Sequence, residues 1–238
     1  MRLLPLLAGL LLLAAPLFAE PALNQLTPEE SAAGWKLLFD GKDAAANWRG
    51  FKKDTLPAGW VVEDGILRRR MDIKAGGDII TKDDYENFEI SLEWKISPGG
   101  NSGVMFKVVE TAPRAAFSGP ECQIQDDTAG HDPQKSGWCY AFYAASVDTT
   151  KPIGEWNLMT VKCQRSSPGH YHCEHWMNGT KYVEYEIGSD EWNQKLAASK
   201  FASTPGFAQA VRGHIALQDH GTEVSFRNIK IRELPPIQ

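Results

Sequence analysis

Residues 88–96 read Phe-Glu-Ile-Ser-Leu-Glu-Trp-Lys-Ile. Phe88, Ile90, Leu92, Trp94 and Ile96 fall on one side of an extended chain, and Glu89, Ser91, Glu93 and Lys95 on the other. A period of two sustained over this length is the signature of a strand, here with one apolar and one wet face. The same signal recurs on both sides at short spacing. Trp60-Val61-Val62 leads through Glu63-Asp64-Gly65 into Ile66-Leu67, a hairpin with Asp-Gly at its turn. Strands are expected over Gly103–Val109, Glu121–Gln125, Trp138–Tyr143, Trp156–Gln164, His170–Met177, Lys181–Ile187, Gly213–Gln218 and Glu223–Arg232, with Asn178-Gly179 as a type I′ turn between two of them. Helix signals are confined to one turn at Thr27-Pro28-Glu29-Glu30 and to Ser189–Ser199, with Ser189 or Asp190 as N-cap. Many antiparallel strands and almost no helix predict an all-β jelly-roll sandwich of two antiparallel sheets with one short helix.

Residues 1–19 stand apart. Arg2 precedes the nearly unbroken apolar run Leu3–Leu13, and small residues lead to Ala19, the pattern of a secretory signal. A periplasmic or secreted location is therefore expected. No later stretch is apolar enough to span a membrane, and residues 20–33 form a polar leader. Arg2 is the only ionised side chain of the signal, so 24 of the 25 basic residues and all 30 acidic ones remain, net −6. A chain of that charge without a basic run is a poor partner for nucleic acid or anionic membrane. There is no internal repeat or linker, which implies one domain.

Eight Trp in 238 residues can serve as core filler or as platforms for sugar rings. The four Cys can pair in three ways. Cys163 and Cys173 flank the turn Ser166–Gly169 and can face each other, leaving Cys122 and Cys139 as a second pair. At least one bridge is expected, with four buried free thiols as the alternative. None of the spacings is a C-x2–4-C metal pattern. His170, His172 and His175 do not share one face of a regular strand and read as hairpin surface.

Side-chain parity suggests a polar sheet face. Glu121, Gln123 and Gln125 alternate with Cys122 and Ile124; His214, Gln218 and His220 oppose Ile215 and Leu217; Met105 and Lys107 oppose Val104, Phe106 and Val108. Retaining endoglucanases of similar architecture carry E-x-D-x-x-E, whose two acids must lie about 5–5.5 Å apart. Here the stretch is Glu121-Cys-Gln-Ile-Gln-Asp126, with an amide at the middle position and Asp126 on the wrong parity. Conventional double displacement is disfavoured. No nucleophile elbow, phosphate loop or H-E-x-x-H is present.

Several short motifs occur together and in order: Gly34-Trp35, Leu38-Phe39-Asp40-Gly41, Asn101-Ser-Gly-Val-Met-Phe106, Glu121–Asp126, Gly154-Glu-Trp-Asn157, Trp176-Met-Asn-Gly179, Ser199-Lys-Phe201, Gly213-His-Ile-Ala-Leu-Gln-Asp-His-Gly221 and Phe226-Arg-Asn-Ile229. In this the chain resembles the bacterial 3-keto-disaccharide hydrolases, also described as 3-keto-glucoside-1,2-lyase/3-keto-2-hydroxy-glucal hydratase domains. The resemblance covers residues 34–234, leaves 235–238 as a tail, and implies a concanavalin A-like jelly roll.

It also implies cleavage of 3-keto-glucosides by removal of the C2 proton, elimination and rehydration. A separate sugar 3-oxidoreductase would supply the ketone. Such a site needs a base, an acid for the leaving oxygen and a group to hold the enolate, and it has no need of a carboxylate pair. On the resemblance, Glu121 and His220 are the acid–base candidates, imidazole being suited to transfer in either direction, and Lys107 holds the enolate or binds substrate. Lys107 departs from the Arg common in the family, and Gly137-Trp138-Cys139-Tyr140 from its small or aliphatic residues before Tyr. Asn101, Gln123, Asp126, Tyr140 and Gln218 are binding candidates, and Trp138 could stack on a ring. Arg227 reads as structural. No cofactor is assigned, and a divalent metal held by Glu121, Asp126 and His220 is left open. A non-catalytic carbohydrate-binding module on the same jelly roll is the alternative.

Overall fold

The computed structural model describes residues 22–130 and 132–237. The expected export signal lies outside the described residues. In chain order the elements are α1 (Pro28–Ala32), β1 (Lys36–Leu37), β2 (Trp48–Gly50), β3 (Trp60–Glu63), β4 (Ile66–Arg69), β5 (Ile79–Thr81), β6 (Phe88–Ile96), β7 (Asn101–Val108), β8 (Glu121–Gln125), β9 (Asn157–Ser167), β10 (His170–Met177), β11 (Thr180–Ile187), α2 (Asp190–Ala198), β12 (His214–Leu217) and β13 (Val224–Glu233). They form the jelly-roll sandwich that strand periodicity predicts. The large sheet runs β11-β10-β9-β6-β13-β4-β3, with β1 also on β13, and the small one β2-β5-β12-β7-β8, all antiparallel.

Turn chemistry explains the hairpins. Asp64-Gly65 and Asn178-Gly179 all have positive φ, as both central residues of a type I′ turn require. Thr27 and Glu30 cap each other's backbone amides at α1, and Ser189 caps α2 through the Trp192 amide.

The core lies between the sheets and includes Phe88, Ile90, Leu92, Trp94 and Ile96 of β6. The opposite face of β6 is drier than alternation suggests. β6 is central in the large sheet, so Glu89 and Ser91 are also buried, and Glu89 pairs with Arg232 and Glu93 with Arg227. Trp48, Trp60, Trp94 and Trp192 are core residues. Trp35, Trp156 and Trp176 are half-buried and lie beneath Lys or Arg side chains.

Three expectations are corrected. Trp138–Tyr143 is a turn: Cys139 bridges both Cys122 and Tyr143, and Ala141 takes positive φ between them. Its alternating aromatics pack around that turn, which imitates a strand. All four cysteines are buried and free; Cys163 and Cys173 do face each other across β9–β10, with sulfurs 3.2 Å apart and no bond. His175 is fully buried between Gly137 O and the Tyr185 hydroxyl, whereas His170 and His172 lie on the hairpin surface.

Candidate active site

The outer face of the small sheet carries the site. Cys122 and Ile124 of β8 point into the core, which sends Glu121, Gln123 and Gln125 to the other side, as parity predicts. Glu121 pairs in register with Met105 of β7. Its carboxyl lies over Gly103, where a Cβ would come within 2.0 Å of Glu121 Oε1. The glycine of Asn101-Ser-Gly103 is thus the space into which the acid folds.

Around Glu121 opens a cavity of about 520 Å3. Gln123 and Asn101 belong to its floor, Gln218, Asp219 and His220 come from the chain leaving β12, and Gly77 and Asp78 from the approach to β5. Arg114 precedes a short 3-10 turn that Phe117 ends, Asp132 and Tyr140 come from the segment after β8, and Lys200 and Phe201 follow α2.

Glu121 is 7% exposed. Burial pushes its carboxyl up to about 8; the charges of Asp78 and Asp132 add to this, while Lys200 and a hydrogen bond from Gln218 oppose it. Burial also raises Asp78, with Asp219 adding and the Asp219 amide, His220 and Arg114 opposing. Gln123, 1% exposed, has no hydrogen-bond partner for Nε2, and Gln218 none for Oε1, among the described residues. Both amides belong to residues lining the same cavity as the acid.

Two networks hold the walls. Asp219 accepts from Arg69 Nε at 2.7 Å, from the Gly77 amide at 2.7 Å and from the Gly221 amide at 3.1 Å, and its own amide donates to Asp78 at 2.9 Å. This buried pair ties the His220 loop to the Asp78 loop. On the other side, Lys200 Nζ donates to the Tyr140 hydroxyl at 2.7 Å, which donates to Asp132 at 2.8 Å. Burial and Asp132 raise the Tyr140 phenol.

Glu121, His220, Asn101, Gln123, Tyr140 and Gln218 come together here, as the sequence suggests. Lys107, Asp126 and Trp138 do not. In β7, Phe106 and Lys107 both oppose Ile215, because His214 pairs with Val108 and Ala216 with Met105. Lys107 takes the left-handed conformation at that bulge (φ 57°), and the extra residue reverses the parity beyond it. Its ammonium is buried, donating to Ala210 O at 2.6 Å and lying 3.2 Å from the centre of the Tyr171 ring. Asp126 spends its carboxylate on the amides of Gly99, Thr128 and Ala129. Trp138 lines a separate small cavity with Lys135 and Tyr182. Glu121, Asp126 and His220 therefore do not converge as one metal-ligand set.

Arg114, Lys200, Asp78, Asp132 and Asp219 are site residues that parity did not find. Lys200 and Asp219 sit inside the motifs Ser199-Lys-Phe201 and Gly213–Gly221 and were within reach. Arg114 and Asp132 lie in irregular segments, where side-chain direction has no period to read.

Residues 34–232, which include every residue lining this cavity, match the family described as 3-keto-alpha-glucoside-1,2-lyase-like domain. The chain belongs to this family. A 3-keto-disaccharide hydrolase of Bacteroides thetaiotaomicron is 30% identical over 236 residues, 85% of this chain and 79% of that one. Among solved structures, a Parabacteroides distasonis protein provisionally described as a glycosyl hydrolase is 35% identical, covers 89% of this chain and 99% of its own, and superposes with a TM-score of 0.80. Another from the same organism is 33% identical over 84% of this chain and 99% of its own, with a TM-score of 0.61. Membership in the 3-keto-alpha-glucoside-1,2-lyase-like family makes the chain a glycoside-cleaving enzyme.

Proposed function

We propose that this enzyme cleaves 3-keto-glucosides by elimination across C1–C2 followed by addition of water, with net hydrolysis of the glycosidic bond. The observation that carries the reading is Glu121, a buried carboxyl held protonated at neutral pH on the floor of a sugar-sized cavity. A protonated acid there suits the leaving oxygen, and His220, on the same cavity wall, is the base for the C2 proton.

His220 takes the proton from C2, and its bonding pair forms the enolate with C3. The enolate reforms the ketone, the C1–C2 double bond forms, and the C1–O bond breaks as Glu121 protonates the departing oxygen. Water then adds to C1 as the Glu121 carboxylate takes its proton, the enolate forms again, and the His220 imidazolium returns a proton to C2. Arg114 and Lys200 supply positive charge to the cavity for the enolate oxygen. Gln123 and Gln218, which line the cavity, supply amides for ring hydroxyls. Export through residues 1–19 and a separate oxidoreductase that makes the ketone belong to the same reading.

The test is to incubate purified protein with a 3-keto-glucoside in D2O and follow C2 by NMR. Cleavage with deuterium at C2 is the expected result. Cleavage without deuterium means direct hydrolysis, and binding of unoxidised sugar with no cleavage of either anomer means a carbohydrate-binding module; each overturns the proposal.

A further inference from the structure

Arg69 stands where the fold expects an apolar side chain. Leu67 of β4 is in the core, and Arg69, two residues on and so on the same face, pairs in register with Trp60 on one side and Val224 on the other, both core residues. The Arg69 side chain is 4% exposed and that of its partner Asp219 7%. Two glycines leave the room for them. A Cβ on Gly59 would come within 2.6 Å of Arg69 Nη1, and one on Gly76 within 2.2 Å of both Arg69 Nη2 and Asp219 Oδ2. Besides Asp219, the guanidinium donates to the carbonyls of Arg70 and of Ile73, the latter at 3.0 Å. Burial works against ionising Asp219, yet the bonds from Arg69 and from the Gly77 and Gly221 amides outweigh it and hold the carboxyl below its ordinary value. A buried ion pair is often no more stabilising than apolar side chains of the same volume. Stability alone therefore does not account for a cation on the inner face of the sandwich.

Asp219 directly precedes His220. Its Oδ2 accepts from Arg69 and the Gly77 amide, while its Oδ1 accepts from the amide of Gly221, so the carboxylate closes a turn around His220. His220 is exposed on the cavity wall, which leaves the backbone on either side of it, rather than packing, to place the ring. Arg69 reaches this turn from the large sheet, whereas β12, which leads into the turn, belongs to the small one. Lys at position 69 could keep the charge but not the planar fork that bonds a carboxylate and two carbonyls at once. We propose that Arg69 is a positioning residue for His220, holding through Asp219 the turn that presents the imidazole to C2 of the substrate. This role presupposes His220 as the base of the cleavage reaction.

The test uses the full chain in two variants. Arg69→Met removes the cation. Gly76→Ala keeps both charges but sets a methyl where the two side chains meet, and it serves if Arg69→Met folds poorly. In protein shown by thermal melting to be folded, each should lower kcat for a 3-keto-glucoside roughly 10- to 100-fold and leave KM within about twofold. With 13C-labelled His, the His220 ring signal, identified by its loss in His220→Ala, should shift in both variants. Loosening spread over the whole chain would lower kcat only by the fraction unfolded and would leave the His220 signal of the folded fraction in place. An unchanged kcat in folded Gly76→Ala, or a His220 signal unmoved in both variants, overturns the role of Arg69. Full turnover in His220→Ala overturns His220 as the base, and with it the cleavage reading. That variant leaves Arg69 untouched, so the two failures are distinguishable.

Discussion

Glu121 is worth following through the titration. Its carboxyl is raised from an ordinary value of 4.5 to about 8 in the folded chain. Between those two pH values the native state holds a proton that the unfolded chain has lost, so this residue's contribution to stability falls as pH rises and levels off above about 8. Glu121→Gln cannot ionise. It should melt with the wild type near pH 4, and at pH 9 should melt several degrees higher by calorimetry, roughly what a few kcal/mol gives a chain of this size. Turnover should be lost in the same variant, and wild-type kcat/KM should decline as pH passes about 8, where the acid is spent. Gly103→Ala tests the geometry: a Cβ within 2.0 Å of Oε1 must push the carboxyl from its seat. We expect a loss of about 1–3 kcal/mol by denaturant titration and a fall in kcat well beyond it. At this scale the sequence was legible where alternation holds, as at Glu121 and Gln123. Arg114, just before a 3-10 turn beside the cavity, had no such alternation to reveal it.

Among the elements, the bulge of β7 decides which cation serves the site. Parity placed Lys107 beside Glu121; one extra residue opposite Ile215 took it elsewhere. A bulge depends on how two strands meet, and no spacing within one strand announces it. Lys107→Met should leave Ala210 O unpaired and cost about 1–3 kcal/mol in chemical denaturation, yet leave KM for a 3-keto-glucoside unchanged. A rise in KM would return Lys107 to the binding site. Helix α2 acts from the other side. Trp192, 2% exposed, stacks on Phe142 at 4.4 Å and on Tyr185 at 5.6 Å, and the helix ends two residues before Lys200. Trp192→Ala should cost about 3–5 kcal/mol and raise KM through the loosened Lys200–Tyr140 wall, both measurable on one preparation. Long alternating strands and two hairpins were readable from their residues. The short strands β1, β2 and β5 were not, since two or three residues cannot show a period. The four buried thiols should resist a thiol reagent in the native protein and all react on unfolding.

For the molecule as a whole, the site draws on five stretches far apart in sequence: the approach to β5, the β7–β8 hairpin region, the 132–140 segment, the chain after α2 and the chain after β12. It exists only when the fold brings these stretches together. β13, the last strand, does not lie at an edge; it pairs with β6 on one side and β4 on the other, and β1 also pairs with it. A chain stopped before Val224 would leave β4 and β6 as open edges, and we expect it to show neither a cooperative melt nor soluble expression. Pairings this remote in sequence also make for slow folding. The ribosome, working from the N-terminus, delivers β6 long before the strand that must lie against it. For as long as that strand is unmade the nascent chain has no means of completing the large sheet, which closes only once residues 224–233 have left the ribosome.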